Sequence, residues 1–154
     1  MAHRQSTESK IVIGIFRALW WIISLPFKLI FGGKNNSKYP TEKINRDPDF
    51  TRNRWREINE LMRLGSPSNY ARAVLEADKL LDHALKSLRT PGLTMGDRLK
   101  AAKNKFSSEA YDAAWRAHKV RNELVHNAEF QIMDYTAKDV LRNYEKAIKE
   151  VANI

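Results

Sequence analysis

Three residues in the last third of the chain have side chains suited to RNA chemistry. Arg121-Asn122 is followed, after three residues, by His126. Metal-free RNA cleavage needs a base, an acid and a cation beside the developing phosphorane charge. His126 can exchange a proton near neutral pH, and the Arg121 guanidinium can hold a phosphate through two hydrogen bonds. Arg121, Asn122 and His126 are therefore the candidate catalytic residues, with Asn122 orienting the site.

The spacing of this motif restricts how its side chains can meet. Residues five apart on an ideal helix point about 140° away from each other. Arg121 and His126 converge if the helix ends near Val125, or if two chains contribute one motif each. A homodimer would meet both the geometric requirement and the need for two proton-transfer groups.

A structural role is the alternative for the same residues. Arg121 then forms an ion pair with an acidic residue, and Asn122 caps a helix or satisfies the backbone. His126 is then an exposed cation favoured by the dipole at the helix C-terminus. The candidate acids are Asp112, Glu123 and those of other helices. The neighbouring His118 borders the core or pairs with a neighbour, and the core packs Tyr111 and Trp115.

Other chemical signatures are missing from the sequence. The chain has no cysteine, which excludes disulfides, thiolate catalysis and zinc-thiolate sites. Its four histidines lack metal-ligand spacing, so no metal is expected. Phosphate-binding glycine loops, zinc-protease motifs, EF-hand loops and nucleophile elbows are also missing, and no cofactor is expected.

The hydrophobic pattern after residue 50 predicts helices and no strand. Apolar residues recur at spacings of three and four in five segments: about 51–64, 66–89, 94–106, 109–125, and a last helix opened by Thr136. Thr94 with Asp97, and Thr136 with Asp139, resemble capping boxes, and Ser107 or Ser108 caps the fourth segment. Short connections favour antiparallel neighbours. The sequence therefore predicts an all-α antiparallel bundle of about five helices.

Residues 11–31 are almost entirely apolar, unlike the rest of the chain. About 20 such residues are needed to cross a bilayer, so the segment predicts membrane attachment. Lys10, Arg17, Ser24 and Lys28 share a stripe roughly 40° wide on a helix. That stripe suits a helix lying in the interface of an anionic membrane, with a spanning helix as the alternative. The predicted membrane contacts are Arg17, Trp20, Trp21 and Lys28.

Charge and composition divide the chain into three parts. Residues 1–33 form the predicted anchoring helix, 34–50 a polar linker, and 51–154 the helical-bundle domain. The formal net charge is +9, and the domain carries nineteen Lys/Arg against fourteen Asp/Glu. Anionic lipid and nucleic acid are both suitable partners for such a protein. Basic residues after the apolar segment favour a cytoplasmic domain, and the Arg52, Arg54 and Arg56 cluster is predicted to face solvent or lipid.

The arginine–histidine motif resembles the signature of the HEPN superfamily, small all-α domains marked by Arg-x4–6-His with Asn or Asp often following the arginine. The match is Arg121-Asn122-x3-His126, near the end of a long predicted helix that another helix follows. The resemblance covers about residues 50–154. It implies, in catalytic members, a metal-independent endoribonuclease site formed where two subunits pair. Other members bind nucleotides or scaffold partners.

Two functions of different classes follow. The first is a membrane-attached, HEPN-like protein that binds or acts on RNA or a nucleotide, as a homodimer. The second is a non-catalytic, membrane-tethered module that docks a protein partner. The first requires Arg121 and His126 to be exposed in a shared basic cleft, whereas the second predicts them paired or scattered, with an apolar groove elsewhere.

Overall fold

The computed structural model describes residues 48–152 and 154, and the regular secondary structure in this range is helical. Five α-helices follow one another along the chain: α1 (Pro48–Arg63), α2 (Pro67–Ser87), α3 (Met95–Ala101), α4 (Ser108–His126) and α5 (Asp134–Val151). One turn of 3-10 helix, Lys103–Lys105, lies between α3 and α4. The predicted all-α domain of five helices is confirmed over this range.

Side-chain caps fix three of the helix starts where the sequence predicted them. Ser66 and Ser107 each accept a hydrogen bond from the backbone N–H three residues later, at 3.2 Å in both cases. Thr94 and Asp97 form a reciprocal capping box at the start of α3. These bonds satisfy N–H groups that have no partner within the first helical turn.

Three predicted boundaries differ from the structure. Helix α1 begins at Pro48, three residues before the predicted start, because proline suits a first helical turn. Helix α3 ends at Ala101 rather than near residue 106, since the chain tightens there into 3-10 geometry. The predicted cap at Thr136 is wrong, because α5 already begins at Asp134 and Met133 caps it without a side-chain bond.

Helix α2 lies at the centre of the domain and packs against each of the other four helices. It buries Val74, Ala77, Leu81 and Leu85 on one stripe. Helix α4 buries a face of small residues instead: Ala110, Ala113, Ala114 and Ala117. Small side chains let helix backbones approach closely. In the later part of α4, His118 and Arg121 contact Asp78 of α2.

An ion pair joins α2 to α3. Arg98 Nε donates to Asp82 Oδ1 at 2.6 Å, and Arg98 Nη1 donates to the Gly92 carbonyl oxygen at 2.6 Å. Lys86 lies 2.8 Å from the other Asp82 oxygen. Burial acts to raise the pKa of Asp82, but hydrogen bonds and charges from Arg98 and Lys86 outweigh it and lower the pKa below its ordinary value.

This lowered pKa predicts how acid weakens the domain. A carboxylate with a depressed folded-state pKa stabilises the fold above its unfolded pKa, about 4, and loses that contribution as pH falls through the folded value. We expect Asp82→Asn to lower the free energy of unfolding at pH 7 by about 1–3 kcal/mol, and the difference from wild type to narrow below pH 4. Urea unfolding at both pH values measures this.

The matched control is Glu60→Gln, which removes an exposed ion pair with Arg63. Exposed pairs are worth about 0–1 kcal/mol, so this variant should follow wild type at both pH values. A difference in unfolding free energy between Asp82→Asn and wild type that stays constant from pH 7 to pH 3 would contradict the claim that ionised Asp82 stabilises the fold.

Candidate functional site

A buried carboxylate on α2 joins three helices. Asp78 is 3% exposed. Its Oδ1 accepts hydrogen bonds from His118 Nδ1 at 2.7 Å and from the Tyr144 hydroxyl at 2.9 Å. Its Oδ2 lies 3.2 Å from Arg121 Nε. We call Asp78, His118, Arg121 and Tyr144 the Asp78 cluster. An ionised carboxylate is expensive to bury unless it is paired and hydrogen-bonded, and this cluster supplies both.

The bond to Asp78 fixes the tautomer of His118. An ionised carboxylate only accepts hydrogen bonds, so the proton lies on His118 Nδ1. Nε2 then carries a lone pair in the neutral ring and an N–H in the charged ring. Thr90 Oγ1 is the buried side-chain polar atom without a hydrogen-bond partner in the described part of the chain. His118 Nε2 has no hydrogen-bond partner among the described residues, and the residue as a whole is 8% exposed.

Tyr144 contributes the third donor from the centre of the core. Its side chain is fully buried on α5. Burial raises its pKa well above the ordinary value for tyrosine, and the charge of Asp78 and the hydrogen bond to Asp78 act in the same direction. The phenol therefore stays protonated and donates to the carboxylate across the physiological pH range.

Arg121 is anchored on two sides. Besides the contact of its Nε with Asp78, its Nη1 donates to Asn122 Oδ1 at 3.1 Å. The side chain remains 30% exposed. The structure therefore selects an acid of another helix over the local candidates Asp112 and Glu123, and it places Asn122 directly against the arginine.

His126 lies apart from this cluster. It is the last residue of α4 and is exposed, and the following Asn127 has extended backbone. Because α4 is regular from Ser108 to His126, Arg121 and His126 point about 140° apart in one chain. Of the three motif residues, Arg121 and Asn122 thus contact each other, whereas His126 is exposed at the end of the helix.

The other members of the Asp78 cluster were harder to predict from the sequence. The prediction that His118 borders the core or pairs with a neighbour is confirmed, but the sequence does not identify Asp78 as that neighbour. The site residues predicted from the sequence include neither Asp78 nor Tyr144. A signal existed, because Asp78 falls on the stripe of Val74 and Leu81, and an acid on an apolar stripe requires donors.

Other predicted residues have simpler surroundings. Trp115 packs half-buried against the core, with its ring edge toward His118 at a centroid distance of 6.0 Å. The cluster of Arg52, Arg54 and Arg56 is exposed, as predicted, and each side chain contacts a polar neighbour. The predicted membrane contacts Arg17, Trp20, Trp21 and Lys28 lie outside the described residues.

The described helices and side chains bear on membrane crossing and metal binding. Between residues 48 and 154, excluding 153, no helix is long and apolar enough to cross a bilayer. The same residues contain no group of three or more His, Asp or Glu side chains that could hold a metal ion.

Comparison with known proteins returned no match. No family model matches the chain, and no significant match was found among curated proteins or solved structures. The likeness to HEPN domains therefore rests on Arg121-Asn122-x3-His126 and on the helices that carry it.

Proposed function

We propose that this chain is a membrane-attached, HEPN-like helical protein that binds RNA or a nucleotide and, as a homodimer, cleaves RNA without a metal. The anchored guanidinium of Arg121 carries the proposal. Asp78 occupies its Nε and Asn122 its Nη1, while Nη2 has no acceptor among the described residues. A partly exposed guanidinium whose position is already fixed loses little conformational freedom when it binds a phosphate.

The separation of Arg121 and His126 within one chain favours a site shared by two paired chains. His126 is exposed at the end of α4, next to Val125, a large apolar residue that is 49% exposed. An isologous contact between two copies of this helix end would bring His126 of one chain toward Arg121 of the other. The His126 imidazole would take the proton of the RNA 2′-hydroxyl as that oxygen bonds to phosphorus, and the resulting imidazolium would protonate the 5′-oxygen as its bond to phosphorus breaks. The Arg121 guanidinium would neutralise charge on the phosphorane.

Membrane attachment belongs to the same proposal. The apolar segment 11–31, with Arg17, Trp20, Trp21 and Lys28, anchors the chain, and the basic residues after it favour a cytoplasmic helical domain. An anionic membrane surface would also attract the excess of Lys and Arg in the domain.

RNA integrity during induced expression tests the activity. We expect RNA cleavage in cells expressing the full chain, and a rate at least about 100-fold lower with His126→Ala. Arg121→Lys should lose a similar factor, because lysine keeps the charge but not the planar fork. Arg121→Ala is informative only with a folding check, since it leaves Asp78 short of one partner. Arg116→Ala, an exposed arginine on the same helix, is the matched control and should cleave normally.

Mixing two inactive variants tests the pairing of chains. If each site takes Arg121 from one chain and His126 from the other, co-expression of Arg121→Lys with His126→Ala regenerates one intact site per mixed dimer. Random assortment would restore roughly a quarter of wild-type activity. Cleavage that never recovers in the mixture would contradict a shared site.

A second function is favoured by a different observation. A groove of about 500 Å³ between α1 and α5 is lined in part by Trp55, Met62, Tyr135 and Leu141. The second function predicts that Arg121 is paired and that an apolar groove lies elsewhere. The ion pair of Arg121 with Asp78 and this groove therefore support a membrane-tethered module that docks a protein partner. Intact RNA in all variants, with folded and abundant protein, would move the conclusion to this function.

A further inference from the structure

We propose that His118 and Arg121 of one chain form a binding site for a phosphate group, with Asp78 as the residue that positions both. This inference rests on the proposed function and deepens it, because it places a histidine beside Arg121 without help from a second chain. His126 of a paired chain would then supply proton transfer next to this phosphate site without being needed to form it. The ligand class is the phosphate of RNA or of a nucleotide.

The helix places the two side chains next to each other. His118 and Arg121 are three residues apart on α4, so their Cβ atoms lie about 5–6 Å apart on one face. Both contact the same carboxylate: His118 Nδ1 donates a hydrogen bond to Oδ1 at 2.7 Å, and Arg121 Nε forms an ion pair with Oδ2 at 3.2 Å. A phosphate has enough oxygen atoms to accept from both side chains at this separation.

Each side chain keeps a donor that Asp78 does not use. On Arg121 it is Nη2, and on a protonated His118 it is the Nε2–H group, because Nδ1 is committed to Asp78. With His118 protonated, its charge and that of Arg121 exceed the single charge of Asp78 by one. An anion bound next to His118 and Arg121 would restore neutrality. The Tyr144 hydroxyl also faces Asp78 and donates a hydrogen bond to it.

A glycine of α3 lies next to His118 Nε2. Gly96 lies in α3 beside the imidazole, and a Cβ built there would be 3.9 Å from His118 Nε2 and 3.6 Å from Trp115 Cη2. These are ordinary contact distances, so an alanine fits without displacing either ring. Its methyl group would occupy space beside the atom that the phosphate must reach. Gly96→Ala is therefore a blocking variant that leaves the Asp78 cluster intact.

The experiment follows the imidazole signals of the full-length chain in a non-ionic detergent. The protein is labelled with ¹³C at histidine Cε1 and titrated at pH 6 with uridine 3′-monophosphate, and separately with inorganic phosphate. We expect the His118 signal to shift saturably and the signal of His83, which lies outside the proposed site, to stay unchanged. A response to inorganic phosphate alone would show that the phosphate is recognised without the nucleoside.

Three variants make the assignment specific. His118→Asn keeps a donor where Nδ1 bonds to Asp78 but removes Nε2, so the fold is retained and binding should weaken at least tenfold. Gly96→Ala should weaken binding by a similar factor, while Arg116→Ala, which replaces an exposed arginine on the same helix, should bind like wild type. Binding to these variants is measured by isothermal calorimetry with the same nucleotide.

The outcomes separate this inference from the proposed function. The inference would be overturned, and the proposed function kept, if the protein cleaves or binds RNA while the His118 signal does not shift and His118→Asn binds the nucleotide as wild type does. A saturable His118 shift in a protein that leaves RNA intact would support the site and remove the nuclease. A protein that binds neither RNA nor nucleotide would remove both.

Discussion

Replacing Asp78 with alanine should lower the free energy of unfolding by about 3–5 kcal/mol, the range for removing one partner of a buried ion pair. The loss is large because one side chain satisfies three donors. Its removal leaves the guanidinium of Arg121 without its buried counter-charge and His118 Nδ1 and the Tyr144 hydroxyl without acceptors. Urea unfolding of the full-length chain in detergent, followed by circular dichroism, measures the change.

Two further variants test the mechanism behind this number. Tyr144→Phe removes one neutral donor and should cost about 0.5–1.5 kcal/mol. If Tyr144 acts mainly through Asp78, its effect should shrink when Asp78 is already alanine, as a double-mutant cycle would show.

The matched control is Asp112→Ala on α4, because Asp112 is an exposed acid. Surface changes of this kind usually stay within about 0.5 kcal/mol. An Asp78→Ala variant as stable as Asp112→Ala would show that the cluster does not hold the three helices together.

The helices were predictable because their signals are local. The stripe of α2 and the caps at Ser66, Thr94 and Ser107 each depend on residues within one or two turns. The same reasoning failed at the start of α5, where no side chain caps the helix and the Thr136 pattern falls inside the first turn.

The partner of Arg121 was less predictable because its contact is tertiary. On an ideal helix Asp112 and Glu123 point about 180° and 160° away from Arg121, so neither local acid can reach it easily. The acid that does so lies on another helix, and His118 and Tyr144 reach it across 40 and 66 residues of sequence. A sequence shows that such an acid needs donors, but only the packing of α2, α4 and α5 selects them.

Gly92→Ala should be the most damaging glycine substitution in the described part of the chain, at about 3 kcal/mol or more. Gly92 has φ +149°, a conformation essentially restricted to glycine that costs other residues about 1–3 kcal/mol. Its added Cβ would also lie 2.7 Å from Arg98 N and 2.9 Å from Asp97 C, in the backbone of the first turn of α3. Neither atom can yield by a side-chain rotation, so the loop must move away from the helix.

That movement would also disrupt the hydrogen bonds of Arg98 that join α3 to α2. The Gly92 carbonyl accepts from Arg98 Nη1, and the same side chain bonds to Asp82. Gly65→Ala is the matched control, because Gly65 also has positive φ, +63°, but its Cβ would meet no atom closer than 3.8 Å. Gly65→Ala should therefore lower the free energy of unfolding by about 1–2 kcal/mol, the cost of left-handed backbone for a residue other than glycine. Equal losses of unfolding free energy in the two variants would mean that the close approach of Gly92 to α3 contributes nothing, and that positive φ alone determines the effect.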